Sequence, residues 1–372
     1  NSKANRFFSM QRSDLAPSVL EIDISQLRKN LQYLRSLTSA GAQQMAVIKA
    51  DAYGHGANRV ASAIQDMVDG FVVAHLQEAI ALRKYGIEKP IQVLAAPELQ
   101  WKGLYTDYTL QATVSDINHF EYLAEGTEYH LQFDTGMSRL GILPEHLPEA
   151  KLKMESNSNL RCVGIMSHLA TADDPDSEKA KMQIELFNSL LAQLPADIPA
   201  HLANSGGTLF YPQSRHQIIR NGIAMYGYPP GEKDVEGIKP IINWKTNVVQ
   251  VRPISEGKTV SYGATWRAPE DGYIITLSAG YADGVVRALS GSIEVFIDGK
   301  SVPQVGTITM DYIMCFVKHN PPEVETEAVL LAPDGPTARD WADKLGTISY
   351  EIVSGIGNRV ERRYIHGNNS LK

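Results

Sequence analysis

The residues with most chemical promise lie in one stretch, Met45–Gly56, which reads Met-Ala-Val-Ile-Lys-Ala-Asp-Ala-Tyr-Gly-His-Gly. An apolar run ends at Lys49, Tyr53 follows four residues later, and two glycines bracket His55. Met45–Ile48 has the length and β-branching of a buried strand. Lys49 then stands at the C-terminal end of that strand, where α/β folds keep their chemistry. Burial beside cations or aromatics lowers the pKa of such a lysine until its free amine attacks a carbonyl. Taken alone, a lysine ending a strand is usually a solvated charge. The surrounding elements decide which reading holds.

Those elements repeat. Strand-like runs occur at Leu20–Ile24, Met45–Ile48, Phe71–Ala74, Ile91–Ala95, Ala112–Val114, Tyr129–Phe133, Cys162–Met166, Ala200–Ala203 and Gln217–Ile219. Helical patterns lie between most of them. Ser25 can cap a helix with Leu27, Leu31 and Leu34 on one face. Further helices are predicted over Leu76–Lys84, from about Asp116, and over Glu178–Leu194. The alternation argues for an α/β fold, a parallel TIM-like (β/α)8 barrel over about residues 16–240. An open doubly wound sheet would usually carry GxGxxG or GxxxxGK[ST] after a strand, and neither occurs. Lys49, Asp134, His168, Asn204, Ser205 and Arg220 all fall at the C-terminal ends of strands, which a barrel gathers at one mouth.

After Pro240 the texture changes. Ile241–Val251, Tyr273–Ala279, Ile293–Ile297, Ile313–Val317 and Val329–Leu331 read as strands, with Asp298-Gly299 as a hairpin turn. Helical signal is confined to Thr337–Lys344, so residues 241–372 form a mostly β second domain.

Bulk properties narrow the function. With 372 residues, two domains are expected. The apolar share of 43% and charged share of 21% are those of a globular chain. A net charge of −7, without basic clusters, argues against a nucleic-acid partner. No apolar run reaches the roughly 20 residues of a membrane helix. Cys162 and Cys315 lie in apolar runs and read as buried core thiols. No metal site is expected. Residues 1–15 are polar and read as a linker or leader, and the first residue is asparagine.

Taken together, these motifs resemble the alanine racemase family from about Pro17 to Tyr364. The resemblance implies a barrel plus β domain in a homodimer with shared active sites, acting on a small amino acid with pyridoxal 5′-phosphate (PLP). In Val-Ile-Lys-Ala-Asp-Ala-Tyr-Gly-His-Gly, Lys49 resembles the PLP-bearing lysine and one of two catalytic bases, and Tyr53 a phosphate ligand. In His-Leu-Ala-Asn-Ser-Gly-Gly, the resemblance places Asn204 and Ser205 at the cofactor, Ser205 on the phosphate. In Arg-Asn-Gly-Ile-Ala-Met-Tyr-Gly, Arg220 resembles the residue facing the pyridine nitrogen, and Gly222 and Ile223 offer backbone amides to the phosphate. His168 resembles the histidine packed by the ring. Arg139 resembles the arginine near the ring oxygen and substrate carboxylate. Tyr262, in Val-Ser-Tyr-Gly-Ala-Thr-Trp, resembles the second base; Tyr281, Met310 and Asp311 match substrate-side motifs.

Two positions depart from the family pattern. Gln132 stands where many members carry a carbamylated lysine, and its neutral amide remains able to orient Arg139. Asn358 stands where the family usually has a tyrosine, as in the membrane-bound serine racemases of vancomycin-resistant bacteria. An amide can pair a substrate hydroxyl, so racemisation of serine as well as alanine is expected. On that likeness the chain is the cytoplasmic-facing domain of a bacterial membrane protein, with a membrane domain upstream, serving antibiotic resistance and the cell wall. An ordinary alanine racemase, or a broad-specificity periplasmic one, is the alternative, with a soluble cytoplasmic or periplasmic location.

Overall fold

The computed structural model describes residues 16–367 of the chain. The linker or leader expected over residues 1–15 lies outside the described residues. The chain divides into two compact units, one over Leu27–Lys239 and one combining the segment up to Gln26 with the segment from Pro240 onward.

The first unit is the expected barrel. β1 (Ser18–Asp23) precedes it. Its strands are β2 (Gln43–Val47), β3 (Gly70–Val73), β4 (Ile91–Val93), β5 (Gln111–Val114), β6 (Glu128–Gln132), β7 (Arg161–Met166), β8 (Ala200–His201) and β9 (Ile218–Asn221). All neighbours pair in parallel, in the order β8-β7-β6-β5-β4-β3-β2-β9. The sheet's two ends meet where the Arg220 amide donates to the Ala203 carbonyl (3.0 Å). β3 and β4 are buried on both faces, so they read as unbroken apolar runs.

The second unit is a mostly β domain. It contains β10 (Ile242–Ile254), β11 (Thr259–Val260), β12 (Trp266–Arg267), β13 (Gly272–Leu277), β14 (Glu294–Ile297), β15 (Lys300–Pro303), β16 (Ile313–Val317), β17 (Glu327–Leu331) and β18 (Glu361–Ile365). The long β10 is its spine, pairing with β1, β13 and β17. Asp298 and Gly299 both adopt positive φ (50° and 70°), the two-residue turn whose twist suits a hairpin.

The structure corrects several expectations. Leu20–Ile24 is not a barrel strand: β1 pairs antiparallel with β10 and parallel with β18, so the boundary expected at residue 16 fails there. The reason was present in its pattern. Leu20 and Ile22 are buried while Glu21 and Asp23 are partly exposed, the alternation of a sheet with one wetter face. Asp23, not Ser25, caps the helix Ile24–Ser36, accepting from the Gln26 amide (3.0 Å). The helix expected from Asp116 is a short 3-10 segment, Ile117–Tyr122. A second helix in the β domain, Ser349–Ser354, follows the expected one at Ala338–Leu345; it is too short to carry a clear period. Cys315 is buried, but Cys162 is only partly so.

Candidate active site

Lys49 is followed by an unusual piece of backbone. Ala50, Asp51, Ala52 and Tyr53 all have φ between 52° and 54°, a left-handed turn built without glycine. Each such residue costs roughly 1–2 kcal/mol, and such strain persists only where the surroundings enforce it. Here they do. Glu78 accepts from the amides of Ala50 (2.7 Å), Ala74 (2.8 Å) and His75 (2.9 Å). Asp51 accepts from the Ala57 amide (2.7 Å). The Tyr53 ring lies 5.0 Å from that of Tyr226, whose hydroxyl donates to the Val47 carbonyl (2.9 Å). The turn thus fixes Lys49 and Tyr53 at the mouth end of β2. Burial, then the Arg139 charge, lower the Lys49 pKa, while Glu78 opposes them.

Arg220 is the hub of the mouth and is almost fully buried. Its Nη1 donates to Nδ1 (2.9 Å) and the carbonyl (3.0 Å) of His201. Its Nη2 donates to the Ser167 carbonyl (2.8 Å), to His168 Nδ1 (3.3 Å) and to the Leu202 carbonyl (3.3 Å). Among the described residues nothing accepts from its Nε. Burial lowers its pKa only to about 10, so it stays a cation near neutrality. Burial, then the charges of Arg220, Arg139 and Lys49, push His168 down to about 3. His168 is therefore a neutral imidazole whose Nδ1 accepts.

A cradle for an anion adjoins this hub. Ser205 Oγ accepts from the amides of Gly222 (3.0 Å) and Ala224 (3.3 Å), which flank Ile223. A Cβ on Gly222 would fall 2.6 Å from the Tyr53 hydroxyl, so only glycine leaves that space open. Two hydroxyls and an amide-lined turn suit a phosphate dianion without a buried counter-charge. These residues fit PLP. The Asn204 side chain is engaged locally, capping the helix Ser205–Phe210 by accepting from the Gly207 amide (2.9 Å).

Arg139 is exposed on the loop after β6. Asp134 organises that loop, accepting from the amides of Gly136 (2.8 Å) and Ser138 (3.0 Å). Gln132 Nε2 donates to the Leu140 carbonyl (3.0 Å), so it fastens the backbone beside Arg139 and does not hold the guanidinium itself.

The remaining candidates lie on the β domain and are more exposed. Tyr262 is 74% exposed, and its carbonyl accepts from the Thr307 hydroxyl (2.8 Å). The amides of Tyr281 and Ala282 donate to the carbonyls of Thr309 and Met310 (both 3.0 Å). Arg359 bridges Asp283 (3.0 Å) and Asp311 (2.8 Å), and the Gly357 amide donates to the Asp283 carbonyl (2.8 Å). Tyr281, Met310, Asp311 and Asn358 therefore share one rim. Sequence reasoning missed Glu78, which no motif marks, and His130 and His201. The signal for the histidines was an imidazole set within a short barrel strand. Among the described residues no group of three or more His, Cys, Asp or Glu is placed to hold a metal.

Residues 22–230 match the family model of the alanine racemase N-terminal domain, and residues 241–364 that of the C-terminal domain. An alanine racemase of Nostoc sp. is 39% identical over 366 residues, covering 92% of this chain and 94% of its own length. The alanine racemase structure from E. faecalis superposes with a TM-score of 0.89 at 32% identity, covering 94% of this chain and 98% of that one. That from Bartonella henselae, with covalently bound pyridoxal phosphate, gives 0.87 at 28% identity, covering 94% and 100%. The chain belongs to the alanine racemase family.

Proposed function

We propose that this chain interconverts L- and D-alanine with PLP as its cofactor. The observation that carries this reading is the barrel mouth: a desolvated Lys49 amine near Arg139 and a neutral His168, with the buried Arg220 cation and the Tyr53–Ser205–Gly222 cradle. Lys49 would hold the cofactor and Tyr53, Ser205, Gly222 and Ile223 its phosphate. When bound, the cofactor ring acidifies the α-hydrogen of an amino acid by accepting electron density. Lys49, with its lowered pKa, takes or returns the α-proton on one face. Arg220 would offer an N–H to the ring nitrogen and, as a guanidinium, would keep its proton, which would limit electron withdrawal and disfavour competing loss of CO₂. Arg139 carries a charge suited to the substrate carboxylate. In a homodimer, Tyr262 of the partner subunit serves the opposite face.

The test is racemisation by the PLP-loaded protein, with L-alanine supplied and D-alanine resolved by chiral chromatography. D-alanine at a turnover well above background supports the reading, and none sinks it. Asn358 supports a finer proposal, turnover of serine beside alanine, since its exposed amide offers a donor and an acceptor. The likeness to membrane-bound serine racemases rests on this one residue. It predicts D-serine formation, and sedimentation of the natural protein with membranes. Membrane-free sedimentation would remove the membrane part alone.

A further inference from the structure

We propose that Arg220, His201, His130, Gln111 and Glu128 form one directional hydrogen-bond relay that sets how Arg220 presents its remaining N–H to the cofactor. The proposal rests on the racemase reading for its purpose and on the barrel interior for its existence. Arg220 can only donate, so His201 Nδ1, 2.9 Å from Nη1, must accept. The neutral His201 then carries its proton on Nε2, which lies 2.9 Å from His130 Nδ1. That nitrogen must accept in turn, so the His130 proton sits on Nε2, 3.0 Å from Gln111 Oε1. Gln111 Nε2 then donates to Glu128 Oε2 at 2.8 Å. Each step leaves one choice. Reversal anywhere would set two N–H groups or two lone pairs face to face.

The relay starts at a cation by the mouth and ends on a carboxylate that opens β6, where Glu128 also pairs with Arg161. Both histidines are almost completely buried, so no solvent competes for the Arg220–His201 and His201–His130 bonds. The strand between them is shaped for the contact. A Cβ on Gly164 of β7 would collide with His130 Nδ1 and lie 2.9 Å from His201 Nε2. Glycine there is what lets a β6 side chain meet a β8 side chain across β7. His201, His130 and Gln111 are positioning residues. With Nη1 and Nη2 engaged, the guanidinium is fixed and Nε is left for a ligand.

The test uses PLP-loaded protein labelled with ¹⁵N in histidine, read by long-range ¹H–¹⁵N NMR between pH 6 and 9, and two substitutions. His130 and His201 should both show the Nε2–H form and should not titrate. His130→Leu breaks the relay, whereas the amide of His130→Gln can accept from His201 and donate to Gln111. We expect His130→Leu to lower kcat about tenfold with little change in KM and to shift the visible absorption of the bound cofactor, with His130→Gln restoring most of both. If His130→Leu fails to fold, Gln111→Leu removes the outer acceptor and should move kcat and spectrum in the same direction. An Nδ1–H form at either histidine overturns the relay, as does a relay-breaking variant with the kcat and spectrum of the relay-preserving one. The NMR reading needs no turnover. A wild-type protein that shows these tautomers but racemises nothing would refute the racemase reading and leave the relay standing.

Discussion

The barrel mouth and the exposed rim of the β domain are built on opposite principles. At the mouth, Arg220 and Ser205 are buried, and Arg220 makes five hydrogen bonds within its own unit. On the rim, Tyr262, Tyr281 and Met310 are 74%, 42% and 52% exposed, held through backbone bonds with their side chains in solvent. The first region is preorganised by its own packing, which suits a permanently held cofactor. The second presents side chains that this chain alone does not bury, which suits groups completed by a second copy. Substitutions should therefore act differently. Changes at the mouth should affect folding and cofactor retention, and changes on the rim should affect turnover alone.

The largest effect should come from Lys49→Ala. Racemisation should fall by about 10⁴-fold or more, because base and anchor are lost together. PLP should also leave on gel filtration, read by the visible absorbance of the protein peak. Retained turnover would remove Lys49 from the reaction. Tyr262→Phe should cost about 10²–10⁴-fold in turnover. Its stability should stay within about 0.5 kcal/mol of the parent, as for other exposed positions. Its α-proton exchange in D₂O should persist from one alanine enantiomer, the one whose proton Lys49 takes, and be lost from the other. A Tyr262→Phe protein that unfolds early would break the contrast between the two regions.

Glu78→Ala probes the mouth's strained turn. Losing a carboxylate that accepts three amides should cost about 2–3 kcal/mol, read as a lower urea midpoint. Adding Ala50→Gly should recover about 1 kcal/mol, since glycine tolerates positive φ. An unchanged midpoint would mean that the turn needs no clamp.

Acid should weaken the barrel in a defined window. Burial holds His130 down to about 3 and His201 well below the usual value. Above pH 6.5 both are neutral folded or unfolded, so neither contributes. Below it, the unfolded chain binds protons that the native one refuses, and stability falls as pH falls. At pH 5 His130 alone should account for roughly 2 kcal/mol of that loss, and His201 should add to it in the same direction. Denaturant midpoints at pH 7 and pH 5 measure it, and His130→Gln should make the fall shallower. The smallest effect is expected from Asn358→Tyr, about a tenfold drop in serine turnover relative to alanine. An unchanged ratio would end the serine proposal.

Much of this was legible in the residues. The barrel strands were visible as short β-prone stretches recurring between helical patterns, most plainly where burial on both faces makes them apolar, as in β3, and Lys49, His168, Ser205 and Arg220 stood at strand ends. Asp298-Gly299 announced its hairpin because few other pairs adopt two positive φ angles in succession. These are local properties, carried by a residue and its near neighbours. Other features were not local. The alternation in β1 marks a strand, but only the completed sheet shows that its partners are β10 and β18, more than two hundred residues away. The left-handed turn after Lys49 contradicts the preferences of its own residues and exists because Glu78, 28 positions on, holds it. The meeting of His130 and His201 needs a glycine on a third strand. Sequence determines which groups are available and how each segment prefers to fold. Which groups touch across strands, and which strained conformations survive, is decided when packing in three dimensions outweighs local preference.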